Sequence, residues 1–216
     1  MRILATKKLT PIQKSMLKGY DVQQKEMISI SYGENFIVNE KISHAIFTSA
    51  NAVKSVFERN KNKKDNFDNV YCVGAKTKSL LASYGVKVCH VAKNASALAA
   101  ILVEKEIEDL HFYCGNLRHQ DLPLAMAEHG IMVTENVVYQ TELSNHCFEM
   151  SFDMVMFFSP SGVMSYVNGL NSCNVKAICI GYTTATEAIN CFEEVFVAEE
   201  TTVESVIDKL KEISSH

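Results

Sequence analysis

The chain has 216 residues, of which 47% are hydrophobic and 21% charged, and its formal net charge is −4. This composition predicts an ordinary globular protein of one large or two small domains. The acidic balance argues against nucleic acid or an acidic membrane as a partner, because proteins that bind these concentrate Lys and Arg on one face. No stretch approaches the ~20 apolar residues of a membrane span.

The predicted elements alternate along the chain. Short apolar runs rich in Val, Ile, Phe and Tyr alternate with segments of helical periodicity, which predicts parallel sheets with crossover helices. The predicted strands span residues 2–5, 27–31, 44–48, 69–73, 87–90, 110–114, 132–139, 153–158, 176–180 and 194–197. Helices fill most of the gaps. Small polar residues mark the helix starts. The predicted caps are Thr10, Ser49, Thr77, Ser159 and Thr201.

The chain also contains an internal repeat at a spacing of about 110 residues. Two pairs of segments align, residues 45–57 with 155–167 and residues 70–85 with 177–190. The second alignment places Gly74 on Gly181 and Thr77 on Thr184. A duplicated α/β unit predicts two lobes with a ligand-binding cleft.

Two extended stretches, residues 28–39 and 133–145, suggest where the chain passes from one lobe to the other. Two crossings predict a discontinuous first lobe, made of residues 1–36 and 141–216, and a second lobe of residues 37–140. The alternative is two consecutive lobes with a single linker. It stays open because no Pro- or Ser-rich segment marks either crossing.

Turns rich in hydroxyl groups follow several predicted strands, just before a helix. They lie at residues 48–49, 74–77, 115–116, 159–162 and 181–184. Each can offer backbone N–H groups, hydroxyls and the positive end of a helix dipole to an anion. The alternative interpretation is that these Ser and Thr residues only cap helices. Together the turns suit a ligand with many carboxylates or phosphates.

The common catalytic signatures are missing from the sequence. There is no G-x-G-x-x-G, P-loop lysine, H-E-x-x-H or G-x-S-x-G motif, and no Cys/His cluster with metal-ligand spacing. We therefore expect no cofactor, no metal and no covalent catalysis. The seven cysteines form no C-x-x-C pair and lie mostly in apolar runs, and the start MRILATKKLT lacks the apolar core of a signal peptide. These features predict a cytoplasmic protein with reduced thiols.

Five motifs in order, FTSANAV, VYCVGAKTKSLLASYGVKV, NVVYQTE, FFSPSGV and AICIGYTTATEAI, resemble the uroporphyrinogen-III synthase family. The resemblance covers essentially the whole chain. It implies two similar, doubly wound parallel-sheet α/β lobes joined by a two-stranded connection. The implied activity is closure of linear hydroxymethylbilane to uroporphyrinogen III, with inversion of ring D and loss of water, in haem biosynthesis.

The resemblance also implies site residues that face the cleft. Tyr139 is the expected catalytic proton donor. The expected substrate-binding residues are Thr48, Ser49, Thr77, Ser159, Ser161, Lys176, Thr183 and Thr184. Local positive charge is expected from Lys7, Lys8, Lys176 and Arg118. The sequence departs from the family pattern at Ala50 and Asn51, where proline and often arginine are common.

The expected partner is the tetrapyrrole substrate, with a transient contact to the deaminase that makes hydroxymethylbilane; the chain is expected to be a monomer. Two alternatives stay open. A non-catalytic, two-lobed cytosolic anion-binding or sensor protein would use the same lobes and helix N-termini, and tight binding without turnover would identify it. An interaction module from a signalling protein is the third interpretation.

Overall fold

The computed structural model describes residues 1–33, 38, 40–59 and 64–215. The chain forms two compact units. Unit 1 consists of Met1–Ser29 and Glu142–His216, and unit 2 consists of Ile30–Thr141. The chain therefore passes between the units twice. The expected boundary between residues 36 and 37 lies outside the described residues.

Strands and helices alternate over most of the chain. The strands are β1 (Arg2–Ala5), β2 (Asp21–Gln24), β3 (Ile28–Tyr32), β4 (Ile42–Phe47), β5 (Phe67–Val73), β6 (Val88–Ala92), β7 (Asp109–Gly115), β8 (Met132–Leu143), β9 (Met154–Phe157), β10 (Lys176–Cys179) and β11 (Val195–Val197). The helices are α1 (Pro11–Met16), α2 (Ala50–Arg59), α3 (Ala75–Ser83), α4 (Ala95–Glu104), α5 (Asp121–Glu128), α6 (Pro160–Asn168), α7 (Tyr182–Ala188) and α8 (Val203–Ser214). A short 3₁₀ turn precedes β5 at Lys64–Asn66.

Each unit contains one sheet. The strand order is β11-β10-β9-β1-β2 in unit 1 and β3-β8-β7-β4-β5-β6 in the second sheet. Neighbouring strands pair in parallel from β11 to β2 and from β8 to β6. Strands β3 and β8 run antiparallel, since Gly33 N–H donates to Val138 O (3.2 Å) while Ser144 N–H donates to Met27 O (2.9 Å). These two strands carry both crossings, which confirms the two-stranded connection.

The sequence repeat is visible in the topology. Strands β9, β10 and β11 occupy in one sheet the places that β4, β5 and β6 occupy in the other, with β1-β2 matching β7-β8. Because β1 and β2 precede the first copy's β4, the sheet of unit 1 combines strands from both copies. Gly19 and Gly130 end the matching helices α1 and α5 with positive φ angles of 99° and 73°, where a side chain would be strained.

Both faces of each sheet are covered by helices. In β1, Leu4 packs with residues of α6 and α7, while Ile3 and Ala5 pack with α8 on the opposite face. In β4, Phe47 packs with α2 and α3, while Ile46 packs with α4 and α5. Burial on both faces explains why these strands are continuous apolar runs. The predicted pair of doubly wound α/β lobes is confirmed.

Three local expectations differ from the structure. Thr201 is not the cap of α8, because Thr202 accepts the N–H of Ser205 instead. Thr77 is not a cap either, since α3 begins two residues earlier, after Gly74. Strand β2, with the sequence DVQQ, was not predicted at all because it lacks an apolar run. The caps Thr10 and Ser159 are confirmed by hydrogen bonds from Gln13 and Gly162.

Candidate active site

Hydroxyl and amide side chains gather where the parallel strands of unit 2 end. We call this end of a sheet its carboxyl edge. Strand β4 leads into Thr48 and Ser49, β5 into Gly74, and β7 into Asn116. Because β4 lies beside both β5 and β7, these three turns are neighbours. Ligands of open α/β sheets bind at such edges.

Tyr139 reaches this edge from the adjacent strand β8. The Ser49 hydroxyl donates a hydrogen bond to the Tyr139 phenol oxygen at 3.2 Å. The same Ser49 Oγ accepts the N–H of Ala52 at 3.1 Å, so Ser49 also caps α2. The structure therefore brings together two of the residues expected at the site, although they lie 90 positions apart.

The environment of Tyr139 keeps its phenol protonated. Burial raises the pKa of Tyr139 above its ordinary value, the hydrogen bond from Ser49 opposes that increase, and the nearby Cys114 thiol adds to it. Since the phenol oxygen already accepts a hydrogen bond from the Ser49 hydroxyl, its own O–H can point at another acceptor. The arrangement can therefore donate a proton near neutral pH.

Asn116 ties the end of β7 to β8. Its amide nitrogen donates to Thr141 O (3.1 Å), and Thr141 N–H donates to its amide oxygen (2.7 Å). The sequence indicated the turn at residues 115–116 but not this pairing partner. Nearby, Arg118 forms an ion pair with Glu135, which compensates the positive charge expected from that residue.

Unit 1 presents a similar carboxyl edge. Ser159 Oγ accepts the N–H of Gly162 at 3.1 Å and lies 3.1 Å from Ser161 Oγ. Thr6, at the end of β1, is buried and donates its hydroxyl to Met156 O at 2.8 Å. A Cβ at Gly162 would lie 3.3 Å from the Ser159 hydroxyl, so this turn is tightly packed. Thr6 was not singled out from the sequence, since it has no counterpart in the quoted motifs.

The repeated threonines occupy equivalent places. Thr77 and Thr184 are each the third residue of a helix, α3 or α7, and only 5% and 1% exposed. Thr183 is exposed beside Thr184, and Thr48 is half-buried beside Ser49. Of the predicted threonines, Thr48 and Thr183 are therefore the more accessible at the carboxyl edges.

Lys176 lies away from the other predicted residues of unit 1. Lys176 is the first residue of β10. The other predicted residues, Ser159, Ser161 and Thr183, lie just after the ends of strands. The length of β10, about 10 Å at ~3.3 Å per residue, therefore separates Lys176 from them. Its Nζ lies 3.7 Å from a carboxylate oxygen of Glu194. The groove around it is lined by three carboxylates, those of Asp153, Glu193 and Glu194. Such a lining does not suit a polycarboxylate ligand.

Two features are absent from the described residues, 1–33, 38, 40–59 and 64–215: a metal-binding cluster and a membrane-spanning helix. Within these ranges no three His, Cys, Asp or Glu side chains lie close enough to hold one metal ion. None of the helices described in them has the length and apolar character needed to cross a bilayer.

Two mainly parallel sheets with helices on both faces, joined by two strands and edged by hydroxyl and amide groups, define a two-lobed α/β protein. A sequence model of the family described as "Uroporphyrinogen-III synthase HemD" matches residues 26–208. The chain belongs to the uroporphyrinogen-III synthase family. It is a cyclising lyase of haem biosynthesis that converts hydroxymethylbilane to uroporphyrinogen III, and the non-catalytic alternative is not supported.

Solved structures show the same fold at low sequence identity. The chain is similar to uroporphyrinogen-III synthetase from Helicobacter pylori, with 19% identity, a TM-score of 0.69, and coverage of 99% of this chain and 100% of that one. It is also similar to a substituted uroporphyrinogen III synthase from Thermus thermophilus, with 15% identity, a TM-score of 0.73 and full coverage of both chains. These matches extend across both units.

Proposed function

We propose that Tyr139 is the proton donor of the cyclisation. The observation that carries this role is the hydrogen bond from Ser49 to the Tyr139 phenol, together with the burial that raises its pKa. A protonated phenol whose oxygen is already occupied by one donor has a single O–H to direct at the substrate. Loss of water from the hydroxymethyl group requires such a donor, because hydroxide is a poor leaving group.

The proton balance of the step is simple. The phenol O–H protonates the hydroxymethyl oxygen of ring A, the C–O bond breaks with release of water, and the pyrrole nitrogen supplies the electron pair that forms the azafulvene. The substituted carbon of ring D then attacks this electrophile to give a spiro intermediate. The bond from the spiro carbon to the methylene group of ring C then breaks, which leaves a second azafulvene-type cation on ring C. The free carbon of ring D attacks this cation and closes the macrocycle with ring D inverted, and the proton that this carbon loses returns to the Tyr139 phenolate.

The hydroxyls and amides of the two carboxyl edges bind the substrate carboxylates in this proposal. In unit 2, Thr48 and Ser49 precede the N-terminus of α2. In unit 1, Ser159 and Ser161 lie at the N-terminus of α6, where backbone N–H groups and the helix dipole favour an anion. Thr183 adds an exposed hydroxyl. Neutral donors of this kind explain how a chain of net charge −4 can bind a polycarboxylate.

Catalysis of this type depends on conformational control. The bilane closes spontaneously to the uninverted isomer I, so the enzyme must hold the substituted carbon of ring D, rather than the free one, near the azafulvene. Fixing that geometry is a proximity effect. A developing cation is stabilised by the negative end of a dipole. The hydroxyl oxygens, and not the N–H or O–H hydrogens, are therefore the groups that can stabilise it.

The test is the isomer produced. Hydroxymethylbilane made in situ by its deaminase is incubated with the protein, the products are oxidised, and isomers I and III are separated by chromatography. Mainly isomer III is expected, and isomer I alone, as in a protein-free control, would refute the activity. Tyr139→Phe should lower kcat by about 10²–10⁴-fold. Tyr84→Phe is the matched control, because Tyr84 bonds Glu58 at 3.4 Å on the surface of the same unit.

We further propose a monomer that acts in the cytoplasm, meets the deaminase transiently, and has lobes at residues 1–36 plus 141–216 and 37–140. All seven cysteines are free thiols, which is typical of a reducing compartment. Light scattering during chromatography tests the monomer. Limited proteolysis tests the lobe boundaries, since cleavage should concentrate near the two crossings.

A further inference from the structure

The strand that carries Tyr139 contains a local irregularity. Strand β8 pairs with β7 residue by residue up to Cys114 and Val137, but Gly115 then pairs with Tyr139. Val138 is therefore an extra residue, as in a β-bulge. Bulges re-aim side chains and are frequent beside active sites.

The extra residue decides which face of the sheet Tyr139 occupies. Side chains alternate along a strand, so Tyr139 would otherwise share the face of Val133, which packs against the cluster formed with α4 and α5. Instead, Val138 lies in the cluster formed with α2 and α3, and Tyr139 packs against that same cluster. The bulge thus moves the phenol to the face on which Ser49 caps α2.

Two donors hold the bulge in place. The Val138 carbonyl accepts the N–H of Gly33 at 3.2 Å and also the hydroxyl of Ser55, which lies on α2. Ser55 is only 2% exposed, so its hydroxyl has no solvent to bond with. A buried hydroxyl on the same helix as the Ser49 cap therefore fixes the carbonyl of the residue that precedes Tyr139.

Gly115, on the neighbouring strand β7, lies directly against the Tyr139 ring. A Cβ at Gly115 would overlap the Cζ and Cε2 atoms of Tyr139. Glycine is required here by this close approach of side chain to backbone. Any larger residue must push the phenol away from its hydrogen bond with Ser49.

We infer that Ser55 and Gly115 are positioning residues of the synthase reaction, which hold the Val138 bulge and the Tyr139 ring so that the phenol meets the substrate. This inference rests on the proposed role of Tyr139. Neither residue touches the phenol oxygen through a hydrogen bond, so their effect on turnover passes through the placement of Tyr139.

Substitution of either residue tests this inference. Ser55→Ala and Gly115→Ala should each lower kcat for isomer III on the order of ten- to a hundredfold, with little change in KM, because misplacement by about 1 Å has effects of this size. In a Tyr139→Phe background the same substitutions should cause no further loss of kcat. Equal losses in both backgrounds would show that these residues act elsewhere, and unchanged kcat with an unmoved ring would overturn the inference.

A matched control comes from the repeat. Ser165 aligns with Ser55, is fully buried on α6, and accepts the N–H of Asn145 at 3.0 Å. Ser165→Ala should affect thermal stability to a similar degree and leave kcat unchanged. If Ser55→Ala does not fold, Gly115→Ala provides the same comparison.

A second readout separates the inference from the proposed role. The second readout is the NMR signal of Tyr139 in protein whose tyrosines carry an isotope label at Cζ. The signal that is missing from Tyr139→Phe is assigned to Tyr139. It should shift in Ser55→Ala and Gly115→Ala but not in Ser165→Ala. A shifted resonance with unchanged kcat would refute the catalytic role of Tyr139 and leave the positioning intact. An unshifted resonance would refute the positioning itself.

Discussion

Replacing Ser49 by alanine removes two interactions at once, and the repeat supplies the variant that separates them. Ser49 accepts the Ala52 N–H at 3.1 Å and donates to Tyr139 at 3.2 Å. Loss of an N-cap destabilises by about 1 kcal/mol. Loss of one further hydrogen bond adds about 0.5–1.5 kcal/mol. We expect Ser49→Ala to lower the free energy of unfolding by roughly 2 kcal/mol in total.

Ser159→Ala is the matched variant for stability. Ser159 holds the aligned position, caps α6 through Gly162 at 3.1 Å, and has Ser161 rather than a tyrosine beside it. It should therefore lose mainly the cap, about 1 kcal/mol. The chain has no Trp, so unfolding in urea is followed by far-UV circular dichroism. The difference between the two variants compares the Ser49–Tyr139 hydrogen bond with the Ser159–Ser161 hydrogen bond.

The Tyr139→Phe background completes the measurement. Without the phenol, Ser49→Ala should destabilise only as much as Ser159→Ala. In the otherwise native chain, Ser49→Ala should also raise the pKa of Tyr139 further, because the bond it removes is the one that lowers it. If Ser49→Ala destabilises the native chain and the Tyr139→Phe chain equally, the hydrogen bond contributes nothing and our account of Tyr139 is wrong.

Three further predictions concern pH, charge and thiols. Burial raises the pKa of Tyr139, and the protonated phenol is the active form. We therefore expect kcat to show no Tyr139-dependent decline below about pH 10. A decline in kcat near pH 8 that is absent from Tyr139→Phe would contradict this. Lys176→Gln should leave KM unchanged. It should alter stability by less than about 1 kcal/mol, because the ion pair of Lys176 with Glu194 is exposed. An increase in KM would show that Lys176 does bind the substrate. Ellman's reagent should modify the exposed thiols first and the buried ones only on unfolding, and early loss of a buried thiol would contradict their burial. The exposed thiols are Cys89, Cys147 and Cys191. The buried ones, with pKa values raised by burial to about 11, 11 and 12, are Cys72, Cys114 and Cys179.

Much of the fold was predictable because it depends on local signals that occur twice. The strand–turn–helix segments of the repeat each combine an apolar run with a small polar cap, and both copies form the same elements. Strand β2 was missed because it is a half-exposed edge strand of mostly polar residues, stabilised by its pairing with β1. Such a strand has no hydrophobic pattern of its own.

The site was predictable only in part. The turns around Ser49 and Ser159 follow from the motif and its repeat. The Val138 bulge depends on how β8 pairs with β7, and pairing across the chain leaves no local trace. Lys176 was expected at the site from the family resemblance. It lies at the start of β10, whereas the turns rich in hydroxyl groups follow the ends of strands. Ser55 had one available signal, its alignment with Ser165 in the repeat.

The two chain crossings also set an order of events during synthesis. All of unit 2 lies between residues 30 and 141, so it can fold as soon as that stretch has left the ribosome. Strand β1, in contrast, lies between β2 and β9 in its sheet and must wait for residues 154–157. The segment made first therefore waits until unit 2 has been made, and its apolar residues Ile3 and Leu4 remain without their β9 partners, Met154 and Val155, throughout translation of that unit. A nascent chain stalled once residue 141, but not residues 154–157, has left the ribosome should resist protease across unit 2 and stay sensitive over the residues that precede unit 2.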